Sequence, residues 1–584
     1  MYLGAVLQPM TESRSRNQRL RLAYLLRALP LFFLIYVWIR GLTANPIGPY
    51  ALSLYQEIPA DLLLGLGLAG LSLLLISKPH TNWAAILVPQ FLIAITILPT
   101  LQTKFLHLTP DAYMHIGRVN RILATGSSAE RNLYPLLHWL SAMIVEITGL
   151  TSTKVAILLT VVCSATLGLL SVLCIHRLAL PKSVYPLGIF AAMLMCLNFD
   201  IYNFASWGQL GRLFVVLTAL ILFIDSEQAS RQLERRSILL LIIAAIAFAH
   251  PILWVIISGI LLIILSYQLL SGSSVYRVVY GSFILLPSLI IALYWLLNAP
   301  TFSKILSSIL GSILAASSSS SRLARRTGQL SSADIAPIDI AIQFIGQYGY
   351  LVFFLGSLLV LIALRTIAIR GRDSRLQPLA IGVVILWATG AVTFTLPVPF
   401  GPSRFWGISI ILGVFVAAQD LADLITRRGS RKTVIIGLSL VVLILVYAVA
   451  APTIYGSTLA RSPSEQMTKA KFSGTEWLFT YEDSEDPIRA IGVNVRNLIA
   501  YQETSDSYRS APKPEPHFAK IRSGEFSGYV LIAPPAGQTY PTYYAKYPET
   551  WDYTPEDYFW LEHSTATSHI YTSGDTSIRR ANMN

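Results

Sequence analysis

Long apolar segments alternate with short polar loops along most of the chain. About thirteen such segments lie between positions 22 and 453, each long enough or nearly long enough for the roughly 20 residues that cross a bilayer. The remaining residues, 454–584, are polar. The pattern predicts an α-helical polytopic membrane domain of about 13 transmembrane helices, followed by a separate C-terminal domain.

Basic residues fix the orientation that we expect for these helices. Arg14, Arg16 and Arg19 precede the first apolar segment, and most later loops on that side are also basic. Because positive loops remain cytoplasmic, residues 1–21 are predicted to be cytoplasmic and the C-terminal domain extracytoplasmic. The same count places two long loops outside, 102–151 and 299–340, of which the second is Ser-rich and predicted to be flexible. The predicted location is the plasma membrane, with multiple passes.

The C-terminal region, residues 454–584, differs from the rest of the chain in composition. It is rich in aromatic residues, Pro and Gly, with short β-prone runs at Gly528–Ile532 and His569–Tyr571. These features predict a small extracytoplasmic domain of α/β or mostly β type.

The composition excludes a soluble protein. Charged residues make up 13% of the chain, the mean hydropathy is +0.57, and the net charge is +13. Since the basic residues lie in short loops beside apolar segments, they indicate contact with membrane lipids and not with nucleic acid. Cys163, Cys174 and Cys196 all lie in apolar segments without paired spacing, so neither a disulfide framework nor a zinc site is expected.

Ionisable residues gather in the first outer loop. Pro110 and Asp111 are typical of a helix start, and on that helix Asp111, His115 and Arg118 share one face at i, i+4 and i+7. A carboxylate, an imidazole and a guanidinium therefore converge as a candidate site. The alternative is structural: Asp111 caps the helix, His115 snorkels, and Arg118 binds lipid phosphates.

A second short helix follows in the same loop. Tyr134-Pro135-Leu136-Leu137-His138 opens an apolar segment that ends near Gly149 and is too short to cross a bilayer. We expect this segment to lie along the membrane interface.

Residues 111–138 resemble the first extracytoplasmic loop of the polytopic glycosyltransferases of the GT-C superfamily. The resemblance is carried by Asp-x-Tyr-x-His, then Tyr-Pro-x-x-His at the head of an apolar helix. The whole architecture is similar to archaeal oligosaccharyltransferase-like members, and the ending from His569 to Asp575 is similar to their closing strand. The resemblance implies inverting transfer of a hexose from a polyprenyl (dolichyl) phosphate to an acceptor outside the membrane. It also implies that Asp111 is the catalytic residue.

The chain departs from the family pattern in two places. Thr109 and Ala112 flank Asp111 where many GT-C enzymes carry a second acid, and Thr550–Thr554 lacks the flanking Trp and Gly of the oligosaccharyltransferase acceptor motif. The second departure favours transfer of a single sugar from a monophosphate donor. The acceptor class, protein, lipid or glycan, is left open, as is a role in protein glycosylation or in the cell envelope.

Further candidate residues lie at the outer ends of other segments. Arg404 is placed to bind a lipid phosphate, since a guanidinium forks onto two oxygens, although Arg beside Phe405 and Trp406 also suits an ordinary interface belt. His250 is a second phosphate or sugar ligand, or else a helix-bend histidine bonded to backbone groups freed by Pro251. The remaining candidates are predicted sugar or acceptor contacts, and they are Tyr113, Tyr134, His138 and Trp207.

The only cofactor hypothesis is a divalent cation, Mg²⁺ or Mn²⁺. Asp200 lies on another outer turn and is predicted to hold it together with Asp111, because hard cations prefer carboxylate oxygens. A turn or capping role explains Asp200 equally well.

Two functions compete with glycosyl transfer. A transporter of lipid-linked glycans predicts ionisable groups deep in mid-segment and a structural repeat. A non-catalytic receptor or scaffold predicts that Asp111, His115, His250 and Arg404 are far apart.

Overall fold

The computed structural model describes most of the apolar region and the core of the C-terminal domain. The described residues are 28–44, 53, 55, 58–76, 81–103, 110–128, 135–178, 180–197, 206–223, 230–271, 349–368, 376–395, 402–427, 431–451, 454–455, 468–481, 486–492, 519–523, 525–533 and 553–581, with isolated positions between them. The predicted cytoplasmic segment 1–21 and the predicted flexible loop 299–340 lie outside these residues, apart from isolated positions in the loop.

Fourteen helices are described in the apolar region. They are α1 Ala28–Thr43, α2 Ala60–Ser72 with a 3₁₀ turn Leu73–Leu75, α3 Thr81–Thr103, α4 Pro110–Thr125, α5 Pro135–Thr148, α6 Ser152–Arg177, α7 Tyr185–Leu197, α8 Ser206–Phe223, α9 Ser230–Ala249, α10 Pro251–Ser271, α11 Tyr350–Ala368, α12 Gln377–Thr395, α13 Ser403–Arg427 and α14 Lys432–Ala450.

Four described segments are long and apolar enough to cross a membrane by length and composition: Thr81–Leu98, Ser152–Arg177, Ser403–Arg427 and Lys432–Ala450. Most other helices of the region contain shorter apolar segments of 10–17 residues. Together with the composition, they make the chain a multi-pass membrane protein. The number of thirteen transmembrane helices stays a prediction, because most of residues 272–348 lie outside the description.

Helix α13 is the centre of the bundle. It packs against α7, α8, α11 and α12, and 83% of its apolar 18-residue segment is buried inside the protein. Residues 405–418 of this helix are apolar on all sides apart from Ser409, and such a segment belongs in the interior, where few polar groups need partners. Its buried Ser409 donates to the Val383 carbonyl of α12 at 2.9 Å, so even this hydroxyl is satisfied.

A glycine allows the N-terminal end of α13 to approach α12. The Trp406 Nε1–H donates to the Trp387 carbonyl at 3.1 Å, and a Cβ at Gly390 would lie 2.4 Å from that nitrogen. Small residues permit such close packing between membrane helices. The indole therefore fixes the first turn of α13, which carries Arg404.

Helices α4 and α5 lie between the long helices α3 and α6, as expected for a folded loop. Helix α4 packs against α5 and α6, and α5 also contacts α9. One side of α5 is exposed and apolar; its residues are Leu136, Trp139, Leu140, Met143 and Ile147. A position along the membrane interface stays a prediction for this helix.

The C-terminal domain is an α/β unit. Its sheet has the order β1-β2-β4-β3, with β1 Ile488–Ile491, β2 Gly528–Ile532, β3 Thr567–Ser573 and β4 Thr576–Ala581. Strands β1 and β2 are parallel, and the other pairs are antiparallel. Helix α15 Lys469–Tyr481 covers one face, while α16 Ala519–Arg522 and α17 Pro555–His563 contribute to the core on the other.

The tight turn between β3 and β4 needs a glycine. Gly574 has a φ of 57°, which residues other than glycine rarely adopt. The Gly528–Ile532 run forms a strand with its predicted bounds, and His569–Tyr571 lies inside β3.

The C-terminal domain contacts the membrane domain through α15. Phe472 and Phe479 pack onto the apolar cluster that contains Ala112, Tyr113 and Leu137 of α4 and α5. Phe479 also belongs to the sheet core around Leu531. The domain therefore lies at the end of the bundle that holds α4 and α5, called the site end from here on.

Candidate active site

Helix α4 is held in place by its apolar face. Ala112, Tyr113 and Ile116 are buried, at 0%, 3% and 2% exposure, against Leu137 of α5 and Val155 of α6. With these residues packed, His115 and Arg118 of the same helix also turn toward the protein, His115 buried and Arg118 partly buried. Apolar packing therefore positions the polar residues of α4.

His115 and His138 form a hydrogen-bonded pair. The Nδ1 of His115 lies 2.7 Å from the Nε2 of His138, and the two rings stack with centroids 5.0 Å apart at 28°. Both rings are buried, at 6% and 1% exposure. Because the two nitrogens share one hydrogen, one ring donates and the other accepts.

Burial and neighbouring positive charge keep this pair neutral. Burial lowers the pKa of His115 well below its usual range, and it is lowered further because a protonated His115 would be repelled by Arg118 and by His138 or His250 in their protonated forms. Burial and then Arg118 do the same to the pKa of His138. At neutral pH the pair therefore contributes hydrogen-bonding groups without adding charge.

His250 caps a helix and also lies within electrostatic range of His115. It stands between α9 and α10, where its Nδ1 accepts the backbone N–H of Leu253 at 3.3 Å. This is the capping geometry of the helix-bend alternative, as Pro251 takes the first helical position. Burial first, and then the charge of Arg404, lower the pKa of His250 to about 4. Its imidazole is thus neutral, with Nδ1 as acceptor and hydrogen on Nε2.

Arg404 stands in the first turn of α13. The Trp406 contact with α12 anchors this turn, and the Arg404 charge acts on His250. The positive end of the helix dipole lies in the same turn. Arg404 is therefore a fixed cation at the site end.

The structure brings five predicted residues into one cluster, called the cationic cluster. They come from three separate parts of the chain, and they are His115, Arg118, His138, His250 and Arg404. His115 and His138 are in direct contact, whereas the other members are linked by electrostatic effects on pKa: Arg118 on both of these histidines, His250 on His115, and Arg404 on His250. Two are guanidiniums with permanent charge, and three are imidazoles with lowered pKa values. The cluster can bind an anion with two charges and several N–H donors.

Other predicted residues are placed less completely. The backbone of Asp111 lies in the first turn of α4, one turn before His115, but its side chain lies outside the described residues. Trp207 lies in α8 with its side chain likewise outside, and Tyr134 and Asp200 lie wholly outside. Tyr113 is buried in the apolar cluster, which indicates a packing role.

The metal hypothesis remains a prediction. Within the described part of the chain, no group of three His, Cys, Asp or Glu side chains is arranged to hold a metal ion. The two carboxylates predicted to bind one, Asp111 and Asp200, are not among the described side chains.

One contact of the site, between His115 and His138, was not expected from sequence. The contact between His115 and His138 joins residues 23 positions apart, and no local pattern announces it. Arg212 of α8 is buried at 8% exposure, and its neighbour Gly211 lies against the His250 ring, where a Cβ would be 3.6 Å from Cδ2.

No protein-family model matches the chain, and no curated protein matches it. Several solved structures resemble it, among them the following two. ArnT from Cupriavidus metallidurans, solved with undecaprenyl phosphate, is 10% identical with a TM-score of 0.40, over 86% of this chain and 97% of that one. The arabinofuranosyltransferase AftD from Mycobacteria is 12% identical with a TM-score of 0.44, over 87% of this chain and 42% of that one. At this distance, activity has to be argued from the residues of the chain itself.

Proposed function

We propose that the protein is a membrane glycosyltransferase of GT-C type that uses a sugar linked to a polyprenyl phosphate. The observation that carries this proposal is the cationic cluster, two members of which lie on α4, the helix whose first turn contains Asp111. The resemblance of residues 111–138 to the GT-C loop supports the same assignment.

The cluster suits the leaving group of such a reaction. When the bond between the anomeric carbon and the phosphate oxygen breaks, the phosphate keeps the electron pair and gains negative charge. Arg118 and Arg404 supply fixed positive charge, and neutral imidazoles supply N–H donors, so the developing charge is stabilised by groups already in place. The apolar face of α5 suits a position at the lipid boundary, where a polyprenyl phosphate presents its head group.

Asp111 is the proposed general base. The attacking hydroxyl or amide of the acceptor must lose its proton as it bonds to the anomeric carbon, and a carboxylate within hydrogen-bond reach accepts that proton. The backbone sets Asp111 one turn from His115, so base and phosphate ligands lie on neighbouring turns of α4. The outer-face orientation, the acceptor and the inverting outcome are part of the proposal.

The cationic cluster favours an enzyme over a receptor. A receptor does not require imidazoles and guanidiniums from three distant parts of the chain to meet. Burying these groups together costs desolvation free energy, which a bound anion offsets. The transporter hypothesis draws on other residues, the buried Asp420 of α13 and Arg212 of α8, and does not account for the cationic cluster.

The experiment is sugar transfer by purified protein in lipid vesicles. Labelled polyprenyl-phosphate hexoses are supplied together with host membranes as acceptors, and the labelled product is identified. Arg404→Gln is expected to raise the donor KM at least about tenfold, the size of one charge-assisted hydrogen bond. Arg427→Gln, at the exposed far end of the same helix, should leave it unchanged. Transfer from no donor would contradict the proposal and favour a receptor.

A further inference from the structure

His115 and His250 share an arrangement of their ring nitrogens. In each ring the Nδ1 is engaged within the protein, by His138 in one case and by the Leu253 backbone N–H in the other. For His250 the donor is a backbone amide, so Nδ1 must be the acceptor and Nε2 must carry the hydrogen. The tautomer of His250 is therefore set by the start of α10.

The same logic extends to His115. Its Nδ1 partner, the Nε2 of His138, is able either to donate or to accept. If His138 donates, the hydrogen of His115 is on Nε2, and both histidines present the same kind of donor to a ligand. The phosphate oxygen that leaves the sugar carries negative charge and no proton, so it needs hydrogen-bond donors and not acceptors.

We propose that His138 is a positioning residue for sugar transfer: its Nε2–H donates to the Nδ1 of His115 and thereby fixes His115 as an Nε2–H donor toward the donor phosphate. This inference rests on the proposed function, and it changes the role predicted for His138 from a sugar contact to a partner of His115. His138 itself touches neither substrate.

The packing around His138 explains how it can orient the ring of His115. His138 is 1% exposed on the inward side of α5, while Leu136 and Trp139 beside it are exposed on the other side. Helix α5 is fixed to α4 by apolar contacts such as Leu137 with Tyr113 in one cluster. The imidazole is thus held by two packed helices, and its hydrogen bond orients the ring of His115 at little entropic cost.

The direct test is nitrogen NMR of the whole protein in lipid, with labelled histidine. The signals are assigned by comparing the wild type with His115→Gln and His138→Gln. His115 is expected to show a hydrogen on Nε2 and a bare Nδ1. Hydrogen on the Nδ1 of His115 would overturn the proposal, because His115 would then be the donor to His138.

Kinetics supply the second test. His138→Leu should lower kcat about tenfold, the value of one neutral hydrogen bond, with a smaller change in acceptor KM. His138→Gln places an amide N–H where Nε2 was, and should restore kcat to within about threefold of the wild type. The matched control is the exposed His563, where His563→Leu should have no effect. Unchanged kcat in His138→Leu would overturn the proposal.

A double-mutant cycle separates positioning from general damage to the fold. If His138 acts through His115, the effects of His115→Gln and His138→Leu on kcat will be strongly non-additive. Additive effects would overturn the proposal. A protein with Nε2–H on His115 that transfers no sugar from any donor would instead contradict the proposed function, so the two failures are distinguishable.

Discussion

The Nδ1 of His250 accepts the backbone N–H of Leu253 at 3.3 Å, so one histidine both starts helix α10 and belongs to the cationic cluster. Its two ring nitrogens have separate tasks. Nδ1 serves the helix, and the proposed function assigns Nε2–H to the donor phosphate. The two tasks can be separated by substitution.

His250→Asn is expected to keep the helix cap and lose the phosphate contact, because Asn is among the best capping residues but is too short to replace Nε2. The melting temperature should stay near that of the wild type while the donor KM rises severalfold. His250→Ala should lose both, with about 1 kcal/mol of stability lost at the cap. Equal KM values for His250→Asn and the wild type would remove His250 from the site.

Acid should destabilise the protein through its buried histidines. The pKa of His250 is lowered to about 4 from an ordinary 6.5, and those of His115 and His138 are also lowered. The unfolded chain therefore binds protons at a higher pH than the folded chain does. The free energy of unfolding is therefore highest above about pH 6.5, and it decreases as the pH falls toward 4.

The measurement is the melting temperature in detergent at a fixed scan rate, between pH 7.5 and pH 4.5. His138→Gln should flatten the dependence, because one of the titrating groups is gone. The exposed His563, changed to Gln, is the control and should leave the slope unchanged. A wild-type melting temperature that rises on acidification would contradict the assignment of neutral histidines.

Gly390→Ala should damage the site from a distance. A Cβ at position 390 would lie 2.4 Å from Nε1 of Trp406, so the indole must leave the Trp387 carbonyl and the first turn of α13 must shift with Arg404. We expect a loss of about 1–3 kcal/mol from overpacking and a higher donor KM. Gly437→Ala, on α14 with open space at that position, is the matched control. Wild-type behaviour of Gly390→Ala would show that this contact does not position Arg404.

Phe479→Ala should loosen the C-terminal domain from the membrane domain. Phe479 belongs both to the sheet core and to the apolar cluster on α4 and α5. Removing the ring weakens both contacts at once, which protease digestion should report as faster release of the C-terminal fragment. Phe559→Ala is the control, because Phe559 is 63% exposed. Equal digestion rates would mean that Phe479 does not hold the two domains together.

The sequence predicts the helix starts of this site well. Pro110 and Pro135 begin α4 and α5 as expected, and the spacing of Asp111, His115 and Arg118 places them along one helix because helical periodicity is a local property.

Contacts between distant parts of the chain could not be read in this way. The pairing of His115 with His138 depends on how two helices pack, and the contact of Trp406 with Gly390 depends on the approach of α12 to α13. Neither leaves a periodic signal. The number of transmembrane helices and the metal hypothesis stay predictions for another reason: the residues they need lie outside the described part of the chain.

The central claim is that the carboxylate of Asp111 catalyses sugar transfer beside the cationic cluster. The most direct measurement compares the rate of transfer from a labelled polyprenyl-phosphate sugar by the wild type, Asp111→Asn and Asp575→Asn, all at equal amounts in vesicles. Asp111→Asn removes the base and should lower the rate by a factor of about 10² or more, while Asp575→Asn, at an exposed turn, should match the wild type. Wild-type transfer by Asp111→Asn would contradict the claim.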